Sequence, residues 1–136
     1  MNELQLLQTF KNQIIHFLDE LIQQFPKEAE FVIIRIFVKD QIPLSEVLGR
    51  FVKECLPFHE QIKRKDQSFF IESDIIAQSL GGSEMGKDVM DKLRSLWLSN
   101  RLDEEDREMI WKWMGLFFNI ADKYHSKFGC VEGWER

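Results

Sequence analysis

Hydrophobic positions in this chain recur at helical spacing almost from its start. Leu7, Phe10, Ile14, Phe17, Leu21 and Phe25 follow one another every three or four residues, with Leu18 and Ile22 widening the stripe. Gln8, Lys11, Asn12, Asp19, Glu20 and Gln23 occupy the opposite side. The pattern predicts a helix over 3–25 that ends at Pro26, a residue suited to the first turn of the next helix. Pro43 opens a third helix with Leu44, Val47, Leu48, Phe51, Val52, Cys55 and Leu56 on one side. Pro57 breaks or kinks that helix, and a short fourth one runs to about Lys65.

Residues 31–38, Phe-Val-Ile-Ile-Arg-Ile-Phe-Val, are harder to place. Their β-branched density suits a buried strand. Nothing else in the chain looks like a pairing partner, however, and a lone strand leaves its backbone groups unsatisfied. The expectation is therefore a fully buried helix.

Further along, residues 66–74 read as a connection carrying the adjacent Phe69 and Phe70. Residues 78–86, with Gly81, Gly82 and Gly86, are the clearest loop. A fifth helix is expected over 87–99 with Val89, Leu93, Leu96 and Trp97 inward. Asp103 is the expected N-cap of the last helix, where Glu104, Glu105 and Asp106 suit the positive end of the macrodipole. Ile110, Trp113, Phe117, Ile120 and Tyr124 form its stripe. The expected architecture is all-α: a compact single-domain bundle of five to six helices over 1–127, followed by a C-terminal tail over 128–136.

Composition agrees with one core. With 136 residues, 44% of them hydrophobic, the chain buries enough surface to fold without a metal or disulfide. No apolar run approaches the ~18–20 residues of a membrane span. The 12 Phe and 4 Trp stand against a single Tyr. Helical stripes absorb Phe10, Phe17, Phe25, Phe51, Phe117, Trp97 and Trp113. Phe69, Phe70, Phe128 and Trp134 fall outside them.

The formal charge is −5, with the acidic excess in the second half. Lys63, Arg64 and Lys65 make the one tight basic cluster, and Asp66 follows at once, so they read as a solvated helix end. Nucleic acid and membrane are not expected partners. Cys55 and Cys130 make no disulfide framework, and the first residues lack the basic and apolar regions of a secretory signal. The expected location is the cytoplasm or nucleus, with no secretion.

Candidate chemistry is sparse. Gly81-Gly82-Ser83-Glu84-Met85-Gly86-Lys87-Asp88 has the glycine and lysine spacing of a phosphate-binding loop. Asp88 stands where a magnesium-binding hydroxyl is needed, and Glu84 adds a second negative charge. His16, His59 and His125 lie on different expected helices with no ligand spacing between them. His16 with Glu20 and Asp122 with His125 are ordinary helix-surface pairs. Cys55 sits on an apolar face and Cys130 in the tail, neither in the electropositive setting of a reactive thiol. No catalytic residue, metal or cofactor is expected.

One resemblance is carried by Phe10-Lys11-Asn12-Gln13-Ile14-Ile15-His16-Phe17-Leu18-Asp19-Glu20-Leu21-Ile22, ending in Phe25-Pro26. Leu56-Pro57-Phe58, then Lys65-Asp66-Gln67-Ser68-Phe69-Phe70-Ile71, and finally Ile110-Trp111-Lys112-Trp113 continue it. In this order of helices the chain resembles small helical proteins encoded by nucleocytoplasmic large DNA viruses. The resemblance spans residues 4–125 and implies a protein of the infected cell or the virion, without implying an activity.

The functional expectation is a non-enzymatic interaction module that binds a host or viral protein through an apolar surface. Asp66, Phe69, Phe70, Phe128 and Trp134 are its candidate contacts, because aromatics outside core stripes serve as docking anchors. A structural or minor virion component acting as a homo-oligomer, a homodimer among them, is the alternative. A nucleotide-binding protein built on residues 81–88 is the second alternative.

Overall fold

Asn2 starts the first helix through a reciprocal cap. Its Oδ1 accepts from Gln5 N at 2.8 Å, and its own N–H donates to Gln5 Oε1 at 2.9 Å. The computed structural model describes residues 2–75, 77 and 84–129. Among them are seven α-helices and no strand: α1 (Glu3–Gln24), α2 (Ala29–Asp40), α3 (Leu44–Glu54), α4 (His59–Lys63), α5 (Gln67–Glu72), α6 (Glu84–Leu98) and α7 (Glu104–Phe128). A 3-10 turn, Leu56–Phe58, joins α3 to α4 at Pro57, where a proline inside an α-helix would forfeit a hydrogen bond. The all-α expectation holds, with more helices than the five or six anticipated.

α1 is the organising element, packed against α2, α3 and α7. α2 also meets α6, and α3 and α4 meet α7. Rings meet where these helices cross. Phe10 of α1 lies 5.0 Å from Phe51 of α3 and 5.9 Å from Phe117 of α7, while Phe51 lies 4.9 Å from Phe118. These spacings fall in the range where aromatic pairs attract beyond simple area burial. The helical stripes thus account for most of the Phe excess. Tyr124 Oη donates to Glu3 Oε1 at 2.7 Å, tying the last helix to the first turn of α1.

Several expectations need correction. Residues 31–38 are helical, but α2 is not fully buried. Phe31, Ile34 and Val38 have no exposed surface, while Val32, Ile33 and Ile36 are 40%, 50% and 50% exposed. At 100° per residue the helix divides its apolar side chains between two faces, and α1 and α6 cover only one of them. The expected fourth helix to Lys65 stops at Lys63, and Lys65 turns the chain with a φ of 52°.

Residues 66–74 are not a plain connection. Asp66 Oδ1 accepts from Phe69 N at 3.0 Å and caps α5. The guanidinium of Arg94 on α6 closes the other end of α5, donating through Nε to Ile71 O at 2.6 Å and through Nη2 to Ser73 O at 3.4 Å. Gly86, expected in a loop, lies inside α6. At the far end, α7 runs through Phe128, one residue past the expected domain boundary, and Gly129 with φ 76° terminates it.

Candidate functional site

Asp66 fixes the first of the expected contacts. As the cap of α5 it orients two adjacent rings that the helix then sends in different directions. Phe70 goes inward, fully buried, 5.2 Å from Trp97 and 5.3 Å from Trp111. Those two indoles meet edge to face at 5.9 Å. Phe70 is therefore a core residue, which removes it from any contact surface. Phe69 is half-buried and lies 5.2 Å from Phe58, itself 40% exposed. A crevice of ≈ 150 Å³ opens between these two rings, Ile75 and Glu54.

Phe128 closes α7 beside Tyr124 at 5.3 Å, with the Lys127 ammonium 5.3 Å from its ring centre and 37% of its surface exposed. The structure thus separates Phe128 from Phe69 onto different helices. Trp134 lies outside the described residues, as do Cys130 and the first three positions of the glycine-rich motif, Gly81, Gly82 and Ser83. The remainder of that motif is the opening of α6. Among the described residues no three His, Cys, Asp or Glu side chains come together as metal ligands. No described helix is long and apolar enough to cross a membrane.

Two further surfaces stand out. The first is the outward face of α2, where Val32, Ile33 and Ile36 form an apolar patch at helical spacing. The helix beneath it is tied to its neighbours by ion pairs. Lys92 of α6 reaches Glu28, the residue before α2, at 2.9 Å and Glu30 at 3.3 Å. Arg35 pairs with Asp19 of α1. The Lys92 bond, ahead of all other influences, pulls the Glu28 carboxyl below its ordinary pKa, and the two carboxylates raise Lys92 above its own. The apolar run, broken only by Arg35, was the available signal for this surface, because a helix packed on one side cannot bury apolar residues on all its faces.

The second is a groove of ≈ 450 Å³ between α1 and α7, lined by Glu20, Glu105, Glu108, Met109, Lys112, Trp113 and Leu116. Trp113 was expected to point inward. Its ring does pack 6.0 Å from Phe17 and 5.9 Å from Phe117, but it is only half-buried. Its indole N–H donates to Glu20 Oε2 at 2.9 Å, which holds both side chains at the groove. Glu108 pairs with Lys65 at 2.9 Å. Lys65 thereby leaves the basic cluster for an ion pair, and Lys63 lies 3.6 Å from Glu60.

No family model matches the chain, and neither does a curated protein or a solved structure.

Proposed function

We propose that the chain is a non-enzymatic protein-interaction module that engages a host or viral protein through the outward face of α2. The observation that carries this reading is the exposure of Val32, Ile33 and Ile36 on a helix whose opposite side is fully buried. Scattered surface apolar residues are ordinary, whereas contiguous ones mark contact sites. Fully burying an Ile side chain is worth about 1.5–3 kcal/mol, so covering these half-exposed residues offers a substantial gain. The patch is also pre-organised, because Lys92 and Arg35 anchor α2 to its neighbours. Binding there costs little ordering entropy. The viral part of the reading rests on the resemblance over residues 4–125.

The test is quantitative affinity capture from infected-cell lysate with the wild-type chain and with Ile33→Asp combined with Ile36→Asp. Both side chains are half-exposed, so the variant should stay folded, which its thermal melt checks. Proteins captured by the wild type and lost with the variant support the reading; identical capture sets defeat it. Light scattering at micromolar concentration separates it from self-association. A species near 16.3 kDa is expected. A species of twice that mass, dissolved by the same variant, would replace the reading with a homodimer.

A further inference from the structure

We propose that the groove between α1 and α7 is a docking site for a short cationic peptide segment, one that places Arg or Lys next to an apolar side chain. It shares no lining residue with the α2 face and does not depend on it.

The groove is polarised along α7. Glu105 and Glu108 lie toward the start of the helix, followed by Met109, Lys112, Trp113 and Leu116, so that one stripe at helical spacing begins acidic and becomes mostly apolar, with Lys112 its one cation. Glu20 faces it from α1, held by the indole N–H of Trp113. This hydrogen bond occupies one carboxylate oxygen and leaves the negative charge in place.

Glu20, Glu105 and Glu108 outnumber Lys112 and the Lys65 that pairs with Glu108, so the groove keeps a negative sign, and the neighbouring Asp103, Glu104 and Asp106 extend it. Asp103 and Asp106 cap one another's backbone N–H groups. Glu108 has Lys65. Glu105 has neither a hydrogen bond nor an ion pair among the described residues, which leaves its charge available to a ligand.

An arginine suits this arrangement in all its parts. Its methylene stem covers an apolar floor while the guanidinium stays in contact with carboxylates and water. Its planar cation also stacks on an indole, as a compact ammonium does less well. A neighbouring Leu or Ile would then cover Met109 and Leu116 at the apolar end. The volume suits a few side chains, which points to a linear segment as the occupant.

The test uses the full chain and a fluorescein-labelled peptide of alternating Arg and Leu, with a second peptide in which Glu replaces each Arg. Anisotropy titration should show saturable binding of the Arg peptide and binding at least about tenfold weaker for the Glu peptide. Glu105→Gln and Leu116→Gln, both at exposed positions of α7, should each weaken the Arg peptide by roughly tenfold, with melting curves checking that each variant stays folded. Raising salt from ~0.05 to ~0.5 M should weaken it too, since the carboxylates are accessible to screening. Equal affinity for the two peptides would overturn the proposal, as would affinity unchanged by both variants. A dimer that Leu116→Gln dissociates, with no peptide bound, would give the groove to a second copy and also overturn it. Ile33→Asp with Ile36→Asp should bind the peptide as the wild type does, which keeps this result separate from that of the α2 face.

Discussion

Gly86 packs its Cα against the backbone of Ala77. A Cβ on Gly86 would lie 2.9 Å from the Ala77 carbonyl oxygen and 3.5 Å from its Cα. The glycine that suggested a phosphate loop thus has a packing role at the start of α6. Gly115, in the middle of α7, has nothing within 4 Å of the same position.

The two glycines should respond oppositely to alanine. Gly115→Ala should stabilise by about 0.5–1 kcal/mol, because alanine loses less backbone entropy in a helix. Gly86→Ala gains the same propensity but must displace backbone, and overpacking costs about 1–3 kcal/mol. Thermal melts should place the Gly86 variant below the wild type and the Gly115 variant above it. A Gly86 variant as stable as that of Gly115 would show that the approach to Ala77 relaxes freely.

Phe70 should be among the most sensitive positions in the chain. Truncating a buried Phe to Ala costs about 3–5 kcal/mol, and Trp97 and Trp111 both lose a ring contact with it. Phe69→Ala, at the half-buried position next to it, should cost far less. Denaturant melts of the two variants decide between a core role and a surface role for each ring.

Arg94 should control α5 more than the rest of the bundle. It accounts for hydrogen bonds to Ile71 O and Ser73 O, and a helix of six residues has little stability of its own. Arg94→Ala should raise amide exchange in Gln67–Glu72 well before it affects α1 or α7. Asp66→Ala should act on the same helix from its other end, costing about 1 kcal/mol.

Acid should destabilise the fold in two steps. Burial, above all, lowers the His59 pKa from its ordinary 6.5, with Lys63 acting in the same direction and Asp122 and Glu60 against it. The ring stacks 5.0 Å from Phe118. A lowered histidine binds fewer protons folded than unfolded, so its contribution is complete above pH 6.5 and falls as pH drops toward the folded value. Glu28 is lowered as well, from 4.5, so the bond from Lys92 contributes fully above that pH and is lost below it. Lys92 is raised, so its share is present below 10.5 and is lost as pH rises past that value. Melting temperature should therefore begin to fall below about pH 6.5, and fall again below 4.5. His59→Gln should remove the first step and keep the second.

Local signals carried the long helices. The stripe of Phe10, Ile14, Phe17 and Leu21, the stops at Pro26 and Pro57, and the acidic cap at Asp103 all lie within a few residues of what they control. α5 escaped because six residues hold too little of a period to recognise. Its Asp66 cap lacks the reciprocal partner three residues on, Gln5 in α1 and Asp106 in α7, that completes a capping box.

The candidate contacts divided for the same reason. Phe69 and Phe70 are indistinguishable in sequence, and only the placement of α5 against α6 and α7 sends one ring into the Trp97–Trp111 pair. Trp113 read as core by spacing, yet its partner Glu20 lies 93 residues away, a relationship that no local pattern encodes.

The residues taken locally specify that this chain is helical, where α1 and α7 begin and end, and that its Phe excess lies mostly on inward stripes. Those properties follow from periodicity and capping, which act over one or two turns. The tertiary structure decided which side of α2 faces water, which of two adjacent phenylalanines is core, and that Glu105, Trp113 and Leu116 share a groove with Glu20. A helix bears side chains in every direction, and only the neighbours packed against it determine which of them are covered.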